Sequence, residues 1–555
     1  MPFGILEPKY AEAVPGTAFM NDQDDLPPEF ADLPREVLKH GTGRFSHVIL
    51  VPQPSDSPND PLNWPQWQKE MILVIVGLSA AVVGAYGPML SPGFVEVSKN
   101  LGISIETLSQ ATAWLILMIG LGLFLTNPLA KIIGRRPVYV IAIIIMFATS
   151  IWGAVVKDYS SFLASRIVAG IGMAPYEVLV QCTIGDLYFV HERATRIAVW
   201  NLFLLTGISG GALVAGYIIE LDGYKWAFGV CAIFFGILML AVIFLVPETA
   251  YKRDSLVVIP DQTDPKHAHM TIAHEHELEH GEKAGATHHP SAMHPTASRV
   301  SEKKHSYWQS LRLFTGRYTY APIWKIFIRP VILFFYPGVF WGFLLYGTTL
   351  TWIVVFSVVN GVIFVAPPYN FSVSQTGLIS LSPFILTLLG ELIAGPLNDW
   401  LCVFLTKKNR GIYEPEFRLP LMVVATILGC AGFFGFGATV HYQTHWTGPV
   451  LCFGLANMAM AFLSTCVFGY VVDSHRKLNE EAFVAINARN LLTFGLTYFV
   501  NDWLAEQGPL IVFSILGALF LAVCLLTIPL WIFGKQLRSW IARNQWLHDF
   551  MNDDI

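Results

Sequence analysis

Charge is scarce in this chain. Asp, Glu, Lys and Arg make up 14% of its 555 residues, against about 25% in a soluble globular protein. Too few such residues remain to cover a water-facing surface of this size, and a mean hydropathy of +0.52 says the same. Cysteine pairs are also missing. Cys182, Cys231, Cys402, Cys430, Cys452, Cys466 and Cys524 stand singly, with no C-x-x-C spacing, so they read as small packing residues and not as a disulfide framework or a zinc site. No basic run interleaved with aromatics occurs and the net charge is only −5, so nucleic acid is not an expected ligand. The chain has no Walker A loop, no metal-ligand spacing and no nucleophile with a base close by in sequence. No enzyme, cofactor or metal site is therefore expected. The first 70 residues are polar, with no early apolar stretch. No cleavable signal peptide is expected, and the first spanning helix would direct insertion.

What the chain has in abundance is long apolar blocks. Twelve are legible: 71–91, 108–128, 137–156, 161–184, 197–219 and 226–246, then 331–358, 374–397, 419–440, 447–472, 484–504 and 509–533. Each reaches the roughly 20 residues needed to cross a bilayer as a helix. The reading is an all-α membrane protein whose twelve transmembrane helices form two pseudo-symmetric bundles of six, 71–246 and 331–533. Around them lie a polar segment 1–70, a linker 247–330 and a tail 534–555. Basic residues set the expected orientation. With the N-terminus inside, the inner loops hold Lys131, Arg135, Arg136, Arg193, Arg196, Lys407, Lys408, Arg410, Arg418, Arg476 and Lys477, and the outer loops only Lys99, Lys157 and Lys225. Both termini are then cytoplasmic, and a multi-pass protein of the cell membrane is expected. The N-x-S/T sequon at Asn370 falls in an outer loop, where it is a candidate glycosylation site.

The linker between the halves is rich in histidine: His267, His269, His274, His276, His280, His288, His289 and His294. Its composition is that of a solvated, partly disordered tether. A loose metal-binding or pH-sensing segment is the alternative, because histidine ligates metals and titrates near neutrality. No fixed spacing defines an ordered site.

Two stretches repeat between the halves. After the second block comes Asn127-Pro-Leu-Ala-Lys131-Ile-Ile-Gly134-Arg135-Arg136, and the corresponding place in the second half reads Gly395-Pro-Leu-Asn-Asp399-Trp400, followed by Lys407-Lys408-Asn409-Arg410. Each has Pro-Leu shortly before a charged position at a helix end. Duplicated helical units are characteristic of secondary transporters. With these residues the chain resembles the major facilitator superfamily, whose signature in this loop is G-x-L-a-D-r-x-G-R-R. Gly134, Arg135 and Arg136 match; Asn127 and Lys131 stand where the signature has Gly and Asp. In the family that Asp helps to lock the cytoplasmic gate. The second half keeps Gly395 and Asp399, which places the intact version there. Arg166-Ile-Val-Ala-Gly170-Ile-Gly172 is a second match to the family, and Ala174-Pro-Tyr-Glu177 and the run Asp186 to Arg193 resemble fungal members of its drug:proton antiporter branch. Gly207-Ile-Ser-Gly-Gly211-Ala212-Leu-Val-Ala215-Gly216 is similar to the antiporter signature G-x3-G-P-x2-G-G, with Ala212 in place of Pro. The resemblance runs from about residue 59 to the last span.

Ionisable residues inside the blocks are the candidate functional groups, since each costs about 2.5–3.5 kcal/mol at mid-bilayer on insertion scales and usually faces a cavity or a partner. Arg166 and Glu177 lie on one block, about 20° from a common helix face and about 16 Å apart along the axis. Glu391 is the third. These are the candidates for substrate binding and proton coupling. Tyr86, Trp114, Tyr346, Asn457 and Asn490 are candidate pocket residues, and Gly134, Arg135, Arg136, Gly395 and Asp399 candidate gate residues. The expectation is a monomeric secondary transporter that exports small organic compounds such as drugs, toxins or secondary metabolites in exchange for protons. Uptake of cations or polyamines is the alternative that keeps the fold. A membrane nutrient sensor that binds without transport is the alternative from another class.

Overall fold

The computed structural model describes residues 57–251, 303–319, 322–475 and 478–544, with residues 4–8, 14–19, 39, 50, 52–55, 257–259, 271–273 and 547 beside them. The eight linker histidines, Arg476 and Lys477 lie outside the described residues. Hydrocarbon offers a backbone no hydrogen-bond partner, so a spanning segment must satisfy itself as a helix. The first half forms α1 (Gln66–Tyr86), the short α2 (Phe94–Leu101), α3 (Ile105–Ile133), α4 (Arg135–Val155), α5 (Tyr159–Leu187), α6 (Val190–Asp222) and α7 (Tyr224–Leu245). After a single turn, α8 (Tyr307–Ser310), the second half forms α9 (Ile323–Ile332), α10 (Pro337–Ile363), α11 (Val373–Leu378), α12 (Leu381–Lys408), α13 (Met422–His441), α14 (Thr447–Ser474), α15 (Asn479–Asn487), α16 (Asn490–Leu525) and α17 (Thr527–Arg543).

Eleven helical runs among the described residues are long and apolar enough to cross a membrane. The last of them, Asn479–Arg543, is 65 residues long and holds one non-helical residue, Gly508 at φ 76°, ψ 165°. That left-handed conformation suits only glycine. Pro509 follows it, pre-set for a new first turn, so the run folds back and crosses twice. The total among the described residues is twelve spans, as the hydropathy pattern implies.

Boundaries differ from the sequence reading where proline and charge intervene. The first span stops at Tyr86, not residue 91, because Gly87 and Pro88 end it. The seventh starts at Pro337; the residues before it form the separate α9. The region expected to be a tail from 534 continues as α17 to Arg543, and its Arg538 is 3% exposed.

The halves pack alike. In the first, α3 lies on α5, α1 on α6 and α4 on α7; in the second, α12 lies on α14, α10 on α16 and α13 on α16. Small residues allow the closest approaches. A Cβ on Gly207 would stand 2.7 Å from the Cα of Ala81, and one on Gly211 2.5 Å from that of Ala85. Two glycines of the antiporter-like signature therefore seat α6 on α1. Ala212, which replaces its proline, leaves α6 helical throughout.

A strap from the start of the chain crosses to the second half. Ile5 is fully buried against Cys402 and Phe417, Leu6 N–H donates to Ile532 O at 2.9 Å, and Glu7 pairs with Lys535 at 2.7 Å. Thr17 Oγ1 donates to Glu414 at 2.7 Å, Arg538 donates to Pro15 O, and Ala18–Phe19 pairs antiparallel with Ile412–Tyr413. Arg538 also holds Glu414 at 2.9 Å and Glu416 at 2.7 Å.

Candidate functional site

The halves meet at three levels. On the face that carries the basic loops, Gly134 adopts φ 100° between α3 and α4 and turns two arginines inward. Arg135 forms an ion pair with Asp186 of its own half and reaches Glu480 of the other at 2.6 Å. Lys131 contacts Glu481 and lies 3.8 Å from Glu480. Arg136 donates to Val246 O and Ile243 O at 3.0 and 2.8 Å. The N–H groups of both arginines donate to Glu248; burial pushes that carboxyl up from its ordinary value despite these bonds. The second copy of the motif behaves differently. Asp399 is exposed and 3.8 Å from Arg418, and no ion pair to the first half is formed by it among the described residues. The ion pairs between the halves on this face are thus built on the altered copy. Lys131 supplies a cation where the signature has an acid, and the acids sit across the interface at Glu480 and Glu481. What the two copies share is an arginine clamped by the acid at the end of a long helix: Arg135 by Asp186, and Arg418 by Asp473 at 2.5 Å.

On the opposite face the contacts are backbone-close. A Cβ on Gly216 would stand 2.8 Å from the Cα of Gly377. Ser91 Oγ donates to Ser357 O, and Ser374 N–H donates to Glu220 at 2.5 Å.

Between these levels lies a cavity of about 120 Å³, walled mainly by aliphatic side chains of both halves, with Phe94 and Phe453. Its charged groups are Glu177 of α5 and Arg489, the residue before α16. Arg489 Nη2 is 3.5 Å from Glu177 Oε2, Asn490 Nδ2 donates to the same oxygen at 3.1 Å, and Arg489 Nη1 donates to Asn490 Oδ1 at 2.8 Å. Asn457 also lines the cavity and donates to Phe453 O at 2.9 Å. The Arg489 guanidinium lies 5.6 Å from the centre of the Tyr346 ring, which adds a cation–π contact.

Glu391 is buried outside this cavity. Asn201 Nδ2 donates to it at 2.5 Å and to Ser464 Oγ at 3.1 Å. No cation pairs with it among the described residues.

The structure thus gathers Glu177, Asn457 and Asn490 around the cavity and places Glu391, Tyr86, Trp114 and Arg166 elsewhere. Arg166, fully buried, donates to Tyr86 O at 3.1 Å and Gly87 O at 3.4 Å, and sits among the rings of Tyr86, Phe162 and Phe228. It satisfies carbonyls that the end of α1 leaves open. Trp114 is 37% exposed and packs on Phe494. Asn370 is exposed beside α11, at φ 51°. Arg489 and Asn201 are absent from the residues chosen on sequence grounds. Arg489 carried a signal, as a lone arginine inside the block 484–504. Asn201, neutral and 190 residues from its partner, carried none.

Twelve spans in two similar halves around a central cavity, shut by contacts on both faces, define a carrier. The Major Facilitator Superfamily model matches residues 72–490, and the chain belongs to that family. Among its relatives, an uncharacterized MFS-type transporter of Schizosaccharomyces pombe is 26% identical, the match covering 98% of this chain and 95% of that protein. The efflux pump radE of Floropilus chiversii is 22% identical over 87% of this chain and 84% of its own. The fold is shared with the proton:xylose symporter XylE bound to 6-bromo-6-deoxy-D-glucose: TM-score 0.56 at 15% identity, covering 86% of this chain and 100% of that one. The protein is a membrane transporter and not an enzyme.

Proposed function

We propose that this transporter exports small amphipathic organic compounds in exchange for protons. The observation that carries the reading is the contrast between its two mid-membrane acids. Glu177 stands in an apolar cavity against an arginine of the other half; Glu391 stands outside it against an amide. Substrate is assigned to the first and the proton to the second. An apolar wall with few polar groups suits ligands that are mostly hydrocarbon, and a relative named as an efflux pump supports the outward direction. The two halves would rock about the cavity, with the basic face in the cytoplasm of the cell, both termini on that side and one chain as the working unit. The sequon at Asn370 then faces outward and is proposed as a glycosylation site.

A second reading is uptake of organic cations or polyamines. It is favoured by one detail: both recorded contacts of the Glu177 carboxylate use Oε2, and Oε1 has no recorded partner among the described residues. The test is flux in a transporter-deleted host, with labelled spermidine and a drug panel, with and without a protonophore. Export that collapses with the protonophore supports the first reading. Spermidine accumulation lost in Glu177→Gln supports the second and sinks the first. Binding without flux in proteoliposomes would make the protein a sensor.

A further inference from the structure

A second pocket, of about 470 Å³, opens on the basic face between the two halves and the ends of the linker. Its wall includes Lys131, Arg135 and Arg193 on one side of the charge count and Asp186, Glu480 and Glu481 on the other, so the fixed charges cancel. What remains uncompensated is a set of hydrogen-bonding atoms. Gln181 is 4% exposed, and among the described residues neither its Nε2 nor its Oε1 has a partner. Arg135 Nη1, Glu481 Oε2 and Asn479 Oδ1 are likewise without one among those residues. Buried polar atoms are paired in the great majority of cases, and each exception calls for an occupant. The volume falls within the roughly 300–1,000 Å³ of small-molecule sites.

The pocket is in line with the central cavity. Gln181 follows Glu177 by one helical turn on α5, so both project from the same face of one helix, about 6 Å apart along its axis. Across the interface, Arg489 and Asn490 line the apolar cavity, while Asn479, Glu480, Glu481 and Phe483 line the polar pocket. An apolar chamber and a polar one therefore lie one behind the other between the halves, where the transport reading draws its path.

We propose that the basic-face pocket is a second binding station on this path and that Gln181 is its specificity residue. The station takes an uncharged group that both donates and accepts hydrogen bonds, an amide or an alcohol, carried on an otherwise apolar molecule. Among the described residues the lining charges balance, so net charge favours an ion of neither sign, whereas two unpaired donors and three unpaired acceptors suit a group with both. The inference rests on the transport reading for its place on a path, but its binding chemistry stands apart from flux.

The test uses the full chain in lipid nanodiscs with all seven cysteines replaced by serine and Gly185→Cys introduced. Gly185 lines the pocket and a Cβ there meets no atom within 4 Å, so the rate of modification of the new thiol by 2-aminoethyl methanethiosulfonate reports occupancy. The probes are benzamide and isopropylbenzene, which have similar shapes; only the first carries the amide. Benzamide is expected to slow labelling at least threefold, and isopropylbenzene to have no effect. Gln181→Leu should abolish the protection, and Gln181→Asn, which keeps donor and acceptor, should restore part of it. Equal protection by both probes, or undiminished protection in Gln181→Leu, overturns the proposal. So does no protection by benzamide in the Gly185→Cys parent. Protection by benzamide in a protein that moves no substrate would sink the transport reading and leave the station intact.

Discussion

Asn201 and Asn490 occupy matching places in the two halves, and each donates its amide N–H to a carboxylate of the other half: Asn201 to Glu391 at 2.5 Å, Asn490 to Glu177 at 3.1 Å. Asn201 lies eleven residues after Val190, the start of α6, and Asn490 eleven after Asn479, the start of the fifth span of the second half. The duplication has thus kept an amide at one register while the acids it meets arose on different spans. Because Glu391 has no cation among the described residues, Asn201 is its main polar support. Asn201→Leu is expected to cost about 1–3 kcal/mol through an unsatisfied buried carboxylate. Thermal unfolding in detergent measures this, and Asn201→Leu/Glu391→Leu should recover most of the loss.

The Glu177–Arg489 pair separates stability from transport. Removing one partner of a buried pair is costly, about 3–5 kcal/mol, because the other charge is stranded. Glu177→Leu and Arg489→Leu should each destabilise the carrier, and the double variant should be more stable than either single one. Flux should be lost in all three, and a double variant that transports at the parent rate would remove the pair from the substrate site.

At the basic face the polarity of the lock is testable by reversal. Lys131→Glu sets an acid against Glu480 and Glu481 and should free that face. Cysteine pairs placed across it should then cross-link more slowly. Lys131→Glu combined with Glu481→Lys should restore most of the parent rate, because Glu480 then keeps its pair with Arg135.

Protonation of His475 should weaken the fold in acid. Its imidazole packs edge-on against Tyr336 with ring centres 5.1 Å apart. Burial, aided by the Arg538 charge, lowers its pKa from 6.5 to about 4. A group lowered on folding favours the folded state above its unfolded pKa, and the benefit disappears as pH falls from about 6.5 towards 4. His475→Gln should reduce the drop in unfolding temperature between pH 7 and pH 5.

Arg166 is expected to act on the scaffold. Arg166→Leu should lower the unfolding temperature by leaving the carbonyls of Tyr86 and Gly87 unpaired, yet leave the ranking of substrates unchanged. A shift in that ranking, measured across a drug panel, would place Arg166 in the substrate path.

The fold was legible because a bilayer imposes one period on everything that crosses it: about 20 apolar residues, a polar loop, and the next crossing. The blocks from 71 to 533 carry that signal without any knowledge of contacts. The site was legible only in part, for a physical reason. A lone charge in an apolar block says that a partner exists, but not which one. Glu177 and Glu391 were visible as isolated acids. That one faces an arginine and the other an asparagine depends on pairings 312 and 190 residues apart in the chain. Arg166 gave the same signal as Glu177, yet its partners are two backbone carbonyls, which leave no trace in side-chain chemistry. The partners of the gate motif were hidden for a related reason. The motif in the second half keeps its acid at Asp399, but a lock needs an opposite charge across the interface, and the sequence does not say which acids Lys131 will meet.

The strap has a consequence for how the molecule is made. Ile5, Leu6, Pro15 and Thr17 are synthesised well before the surface that binds them, which is assembled from Cys402, Glu414, Phe417, Ile532 and Arg538. That surface is complete only once α17 has been made, so these residues must wait for it while the spans between are inserted. A segment made early is thus seated late, and its docking closes a loop of some five hundred residues. Loop-closure cost grows only logarithmically with length, so such a late clasp is thermodynamically tolerable. It also serves as a completion mark: a protein truncated before α17 has its N-terminal segment exposed, and limited proteolysis there would tell finished molecules from unfinished ones.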